Sequence, residues 1–125
     1  MDGKREYNLE KRTAQFGKSI ILWVKRLPRN DMTLRLIPQL VGSSTSVGAN
    51  YCEADCSESA RDFVHKLSIA NKEIKESKHH IHMLAIVLDD ENLIQEGRIL
   101  WKEAHEINLI FITIIKKIKN KLRRN

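Results

Sequence analysis

The last third of the chain carries the longest regular pattern of apolar positions. Between residues 91 and 122, apolar or small side chains recur at alternating steps of four and three: Leu93, Gly97, Leu100, Ala104, Ile107, Phe111, Ile114 and Ile118. This spacing places them along one side of an α-helix, as in a heptad seam. The pattern therefore predicts one helix of roughly 45 Å, at a rise of about 1.5 Å per residue.

Three earlier stretches show the same helical period. The first begins near Asn8 and is predicted to end at Pro28, because the residue before a proline avoids the helical region. A later one starts after a Ser57 cap and runs from Phe63 to Leu88. No strand-like alternation occurs. Four amphipathic helices with short loops predict an all-α, antiparallel up-down-up-down four-helix bundle in a single domain, 1–125, with a frayed N-terminus at 1–7 and a basic C-terminal tail at 119–125.

The second helix is the least regular of the four. Residues 43–51 are small and polar, which by propensity favours a loop, but Leu40, Val47 and Tyr51 keep the heptad phase. We predict that this run is helical and that its small side chains let a neighbouring helix approach closely. Pro38 leaves two alternatives open: the helix proper begins near Ile37 after a turn from the Asp31 cap, or it kinks at the proline.

Charge is unevenly distributed along the sequence. The chain has 22 Lys and Arg against 16 Asp and Glu, for a formal net charge of +6. Six basic residues close the chain, and removing them leaves 16 of each sign (22 − 6 = 16): Lys116, Lys117, Lys119, Lys121, Arg123 and Arg124. These six residues, which we call the basic tail from here on, are the candidate nucleic-acid-binding site, because a local cationic cluster attracts polyanions. The alternative is that these side chains only offset the dipole at a helix C-terminus.

A second group of apolar residues lies off the seam of the last helix. It consists of Leu109, Ile110, Ile112 and Ile115. A bundle needs one apolar stripe per helix, and a contiguous exposed patch on a monomer would favour aggregation. We therefore predict that these four residues form an oligomer interface between identical subunits.

No arrangement of residues in the sequence points to catalysis. Ser44, Ser46 and Asn50 have no base placed beside them, and nucleophilic chemistry needs one. His79 and His82, with Glu76 one turn earlier, permit a metal-site interpretation, but a solvated polar helix face explains them as well. Cys52 and Cys56 lack a zinc-site spacing. We expect a non-enzymatic protein with no catalytic residues, no metal and no cofactor.

Two further expectations concern location and ligand contacts. The N-terminus mixes both signs of charge without an apolar core segment, and the apolar run of the last helix is too short to span a bilayer. These features predict a cytoplasmic protein with no membrane contact. No aromatic residue accompanies the basic tail, so contacts to phosphates are expected there and base stacking is not.

Several short segments resemble a known family. The run Thr45-Ser46-Val47-Gly48-Ala49-Asn50-Tyr51, followed by Glu53-Ala54, resembles the signature of a bacterial four-helix-bundle family that includes the proteins encoded in intervening sequences of 23S ribosomal RNA genes. Weaker matches are Asp62-Phe63, Lys66-Leu67, Lys72-Glu73, Glu103-Ala104-His105-Glu106-Ile107 and the run from Phe111 to Lys116. The resemblance covers roughly residues 12–119. It departs at His79-His80, where the family usually has an aromatic pair.

The resemblance implies more than the residue pattern does. It implies a homo-oligomeric ring, usually a pentamer, in the bacterial cytoplasm and without enzymatic activity. It also implies RNA as the expected partner. Related bundles are nucleic-acid-binding accessory proteins of diversity-generating retroelements, so a protein partner such as a reverse transcriptase is implied as well. The alternative function is a structural or adaptor ring that docks another protein and has no nucleic-acid role.

Overall fold

The computed structural model describes residues 8–124, and these fold into four α-helices without a strand. They are α1 (Leu9–Val24), α2 (Asp31–Asp55), α3 (Ala60–Val87) and α4 (Glu91–Arg124). Contacts between the helices show that they run antiparallel. The end of α1 contacts the start of α4, where Trp23 Nε1 donates to the Leu93 carbonyl at 3.0 Å. The start of α1 contacts a later turn of α4, where Arg12 pairs with Glu106 at 3.0 Å. The predicted four-helix bundle is confirmed.

The apolar seams supply the core. The largest side chains that are fully buried come from all four helices: Trp23, Phe16, Phe111, Ile20, Leu40, Leu67, Ile74, Ile81, Leu84, Ile107 and Val47. Each buried side chain of this size stabilises the fold by roughly 1.5–3 kcal/mol relative to exposure. The heptad spacing therefore identified the helix faces that pack together.

α2 is one continuous helix that contains Pro38. A capping box starts it: Asn30 Oδ1 accepts from the backbone N–H groups of Met32 and Thr33, each at 3.0 Å, and Thr33 Oγ1 accepts from the Asn30 N–H at 2.9 Å. Of the two alternatives, a helix that begins near Ile37 is therefore wrong, and Asn30 is the cap where Asp31 was expected. This reciprocal cap satisfies three backbone N–H groups, which stabilises the first turns despite the bond that the proline cannot make.

The prediction that residues 43–51 are helical is confirmed. A Cβ atom built at Gly48 would lie 3.5 Å from Thr13 Oγ1 and 3.6 Å from the Ala14 backbone nitrogen. The backbone of α1 thus approaches α2 closely at this point, as the small residues indicated. Heptad phase decided the structure here because burial along the seam outweighs the weak helix propensity of a few serines.

Two predicted helix ends are wrong. α1 ends at Val24, four residues before Pro28. In a longer helix the Val24 carbonyl would need the N–H of residue 28, which a proline lacks. The Arg29 guanidinium donates to this carbonyl instead, at 2.9 Å, and to the Leu27 carbonyl at 2.7 Å. Ser59 caps α3, where Ser57 was predicted, and its Oγ accepts from the Asp62 N–H at 3.1 Å.

α4 is much longer than α1 and extends beyond it. Arg12, in the first turn of α1, already pairs with Glu106, so the last turns of α4 lie past Leu9. The helix continues to Arg124, as its seam predicted. No described helix is long and apolar enough to cross a membrane. The predicted frayed segment 1–7 lies outside the described residues.

Candidate nucleic-acid interface

The six residues of the basic tail belong to the last turns of α4. All six of its cations are exposed: Lys116, Lys117, Lys119, Lys121, Arg123 and Arg124. Successive helical residues are about 100° apart, so these side chains surround the helix on every side except the one taken by the half-buried Ile118 and Leu122. The tail therefore presents charge in several directions and forms no single groove.

Three of the acidic residues of α4 face α1. Arg12 makes a bidentate pair with Glu103, with both nitrogen–oxygen distances at 2.8 Å, and reaches Glu106 at 3.0 Å. Arg26 makes a second bidentate pair with Glu96. Hydrogen bonding to Arg26 is the main reason that the pKa of Glu96 is lowered, and the bond to Glu103 is the main reason that the pKa of Arg12 is raised. Three carboxylates of α4 are thereby paired with two arginines, Arg12 in α1 and Arg26 just after the end of α1.

The two basic residues of α4 that precede the tail face the opposite neighbour, α3. Arg98 and Lys102 are exposed and line a groove of about 530 Å³ between α3 and α4. On α3, further exposed basic or titratable side chains follow at steps of three and four, which places them on one side of the helix. We refer to the whole set as the basic face: Lys72, Lys75, His79, His82, Arg98 and Lys102. Two carboxylates lie beside these cations: Glu91 lines the same groove, and Glu76 lines a second groove together with Lys72, Lys75 and His79.

Beside this groove a polar cluster joins α3 to α4. Lys78 Nζ donates to Asn108 Oδ1 at 3.0 Å, lies 3.1 Å from His105 Nδ1 and sits 5.2 Å from the centre of the Trp101 ring. Asn108, which is buried, donates to Asn71 Oδ1 at 2.7 Å. Burial is the main reason that the pKa of Lys78 is lowered, with nearby Lys75 contributing in the same direction.

Trp101 is the residue of this region that sequence reasoning missed. Its ring stacks on His105 with 5.0 Å between centroids and 15° between planes, and it lines the groove beside Arg98 and Lys102. The signal that could have found it is its position one residue after the seam residue Leu100, on the same side of the helix as Arg98 and His105. The seam marks only the core-facing side of α4, and Trp101 lies beside it.

The structure separates the four predicted interface residues. Ile110 and Ile115 pack against the core of their own bundle, and Ile112 is half-buried. Leu109 is 50% exposed. Two other apolar side chains, which the sequence did not indicate, are also exposed. Leu22 is 49% exposed and Ile99 is 67% exposed, and both line a groove between α1 and α4.

The polar residues considered for catalysis make bonds within their own helix. Ser46 Oγ donates to the Gly42 carbonyl at 2.7 Å, and Asn50 Nδ2 donates to the Ser46 carbonyl at 2.9 Å. Tyr51 stacks on Phe111 with 6.2 Å between ring centres. These bonds explain why polar side chains are compatible with a helix at this position.

The histidines and cysteines do not converge on a metal site in the described part of the chain. His79 and His80 meet edge to face at 5.4 Å, while His79 and His82 are exposed. Burial is the main reason that the pKa of His80 is lowered. Cys52 and Cys56 are free and exposed. Among residues 8–124, no group of three or more His, Cys, Asp or Glu side chains is placed to hold a metal ion.

Comparison with known proteins identifies similar sequences and structures. A family model described as "23S rRNA-intervening sequence protein" matches residues 5–108. The chain is also similar to the crystal structure of a protein of unknown function from the S23 ribosomal protein family of Bacteroides thetaiotaomicron VPI-5482. That similarity has a TM-score of 0.75 and 29% identity, and it covers 86% of this chain and 97% of the other. No curated protein matches.

The family match includes the basic face and excludes the tail. It ends at residue 108, whereas the tail begins at Lys116. Arg98 and Lys102, together with the α3 side chains opposite them, lie within the matched range.

Proposed function

Because the chain belongs to the family of 23S rRNA-intervening sequence proteins, we propose that it is a non-enzymatic, homo-oligomeric bundle that binds RNA through phosphate contacts. The observation that carries this proposal is the basic tail: six exposed cations on an ordered helix, with no Asp or Glu among residues 116–124. Lysine and arginine side chains that neutralise phosphates release counterions, which gives affinity without sequence readout. A cytoplasmic location is part of this proposal.

Replacing five tail residues with glutamine tests the proposal: Lys117, Lys119, Lys121, Arg123 and Arg124. For a single strand, each lost phosphate contact should lower the slope of log affinity against log salt by about 0.7, or about 3.5 units for all five. Fluorescence anisotropy with a labelled single-stranded RNA, repeated over a salt series, measures this slope. Circular dichroism should show an unchanged helix content, because these side chains are exposed.

A matched control removes charge from another surface. Lys18 and Lys25 are exposed on or next to α1, and changing both to glutamine should leave the salt slope nearly as it is in the wild type. Equal affinity of the tail variant and the wild type would contradict the RNA proposal. In that case the adaptor alternative, a ring that docks another protein, would become the leading one.

We further propose that the subunits assemble into a ring, a pentamer on the family resemblance. The exposed Leu22 and Ile99, with Leu109 and the half-buried Ile112 elsewhere on α4, support an interface, because a lone monomer would leave this apolar surface in water. A ring would also repeat the basic tail around its rim and raise polyanion affinity by multivalency.

Light scattering at micromolar concentration should find an oligomer of the wild type, and a charge introduced at the interface should dissociate it. We expect Ile112→Glu to reduce assembly or solubility. Leu34→Glu is the control, since Leu34 is 57% exposed and lies on α2, outside the proposed interface. A stable wild-type monomer, or an Ile112→Glu variant with unchanged assembly and solubility, would refute the proposed interface.

A further inference from the structure

The groove between α3 and α4 combines an apolar interior with a cationic rim. Its floor and walls are formed by Ile81, Ala85, Ile94, Gly97 and Trp101. Ile86 stands at the groove with 65% of its surface exposed. At about 530 Å³ the groove lies in the size range of small-ligand sites, which are mostly apolar with a few placed polar groups.

The rim is cationic because acidic and basic residues of α4 lie on different sides of the helix. Glu96 and Glu103 are held by arginines on the α1 side of the helix, so Arg98 and Lys102 remain on the α3 side with few carboxylates near them. His82 adds a third basic side chain to the rim, and Glu91 is the one acidic side chain among the residues that line the groove. The rim therefore complements an anion.

Trp101 is held in place before any ligand arrives. Its ring is stacked on His105, and Lys78 is fixed above it by the hydrogen bond to the buried Asn108. An aromatic ring fixed by its neighbours loses little conformational entropy on binding, which raises affinity. The part of the ring that lines the groove offers a flat, apolar surface. Unpaired bases pack on aromatic surfaces in proteins that bind single-stranded nucleic acids.

The basic face continues from the groove toward the tail. Lys75 and Lys72 lie on the same side of α3 as His82. Lys75 lies about two turns before His82, and Lys72 lies about one turn before Lys75. Since α3 and α4 are antiparallel, moving along α3 from His82 toward Lys72 is moving along α4 from Lys102 toward Lys116. A strand that leaves the groove therefore meets further cations in the direction of the tail.

We propose that the α3–α4 groove is a base-binding site for single-stranded RNA, in which an unpaired base packs against Trp101 and Ile86 while Arg98 and Lys102 contact the flanking phosphates. This inference rests on the proposed RNA-binding function and adds a second, base-contacting site to the phosphate-binding tail. The base supplies a flat apolar group and the backbone supplies the anions, which is the combination that the groove and its rim complement.

Tryptophan fluorescence tests the site, with a single-stranded oligouridylate as the probe. The chain has two tryptophans, and Trp23 is only 1% exposed, so quenching on titration should come from Trp101. The quenching should disappear in Trp101→Phe. Inorganic polyphosphate should bind the tail without quenching, because it has no base to stack.

Charge variants separate the groove from the tail. Arg98→Gln with Lys102→Gln should weaken oligouridylate binding about tenfold or more, as expected for two lost phosphate contacts. Lys18→Gln with Lys25→Gln removes the same charge near α1 and should change affinity little. All four side chains are exposed, so the substitutions should leave the fold intact.

Three results would overturn the groove proposal. The first is an affinity for oligouridylate equal to that of the wild type in the Arg98 and Lys102 variant, while the tail variant binds weakly. In that case the phosphate-binding role proposed for the tail would still hold. The second is unchanged quenching in Trp101→Phe. The third is equal quenching by polyglutamate, which would assign the groove to an acidic peptide. If the wild type binds no single-stranded RNA at low salt, both the groove proposal and the proposed function fail.

Discussion

Replacing Gly97 with alanine should destabilise the bundle by about 1–3 kcal/mol, the usual cost of overpacking a well-packed core. A Cβ atom at this position would lie 2.8 Å from Cζ2 and 3.1 Å from Cη2 of Trp23. The indole cannot easily move away, because it is 1% exposed and its Nε1 donates to the Leu93 carbonyl at 3.0 Å. Gly97→Val should cost more than Gly97→Ala, since it adds two further methyl groups at the same contact.

The control for this prediction is the same change at Gly42, an exposed position in the interior of α2. A Cβ atom there would meet nothing within 4 Å, so Gly42→Ala should stabilise the protein by roughly 0.5–1 kcal/mol through helix propensity. Urea unfolding followed by circular dichroism, at one fixed protein concentration, measures both effects. Changes of the same sign at the two glycines would show that contact with Trp23 does not determine the cost.

Replacing Asn108 with leucine should destabilise the protein by about 3 kcal/mol. The substitution removes the acceptor 3.0 Å from Lys78 Nζ and the donor 2.7 Å from Asn71 Oδ1 in the interface between α3 and α4. Lys78 keeps His105 at 3.1 Å but loses its amide acceptor, and Asn71 loses a donor. Losing a hydrogen bond to a charged group costs about 1.5–3 kcal/mol, which exceeds the net contribution of an ordinary hydrogen bond. Denaturant unfolding at fixed protein concentration measures the loss.

A double variant separates this explanation from a simple packing change. Adding Lys78→Met to Asn108→Leu also removes the ammonium that has lost its amide acceptor, so the double variant should recover a large part of the lost stability. Strictly additive effects of the two substitutions would contradict the proposed coupling. Thr113→Leu is a suitable control, because it replaces a polar residue of α4 that is exposed.

The helical period determined most of the architecture. Burial along the seams identified the faces that pack, and it correctly predicted a helix through residues 43–51 against local propensity. It failed at several helix ends, because caps depend on a few local hydrogen bonds that compete at neighbouring positions. Ser59 caps α3 although Ser57 is also available. Arg29, which lies beyond the end of α1, donates to the Val24 carbonyl at that end.

The sequence also located the basic tail, because a run of cations without acids is visible in one dimension. It did not reveal the basic face. The spacing of α4 shows that Glu96 and Glu103 lie on one side of the seam and Arg98 and Lys102 on the other. Which neighbouring helix each side meets depends on the handedness of the bundle, and the period of a single helix does not specify that.

The four residues predicted as an interface illustrate the same division. The sequence determined that Leu109, Ile110, Ile112 and Ile115 are apolar and off the seam, and no more than that. Only the tertiary structure decided that Ile110 and Ile115 pack into their own core while Leu109 stays exposed, since burial depends on the distance to neighbouring helices. In the same way, the packing of α3 against α4 brings Lys78, Asn108 and Trp101 together beside one groove. Residues that are far apart in the sequence become neighbours only when their helices pack.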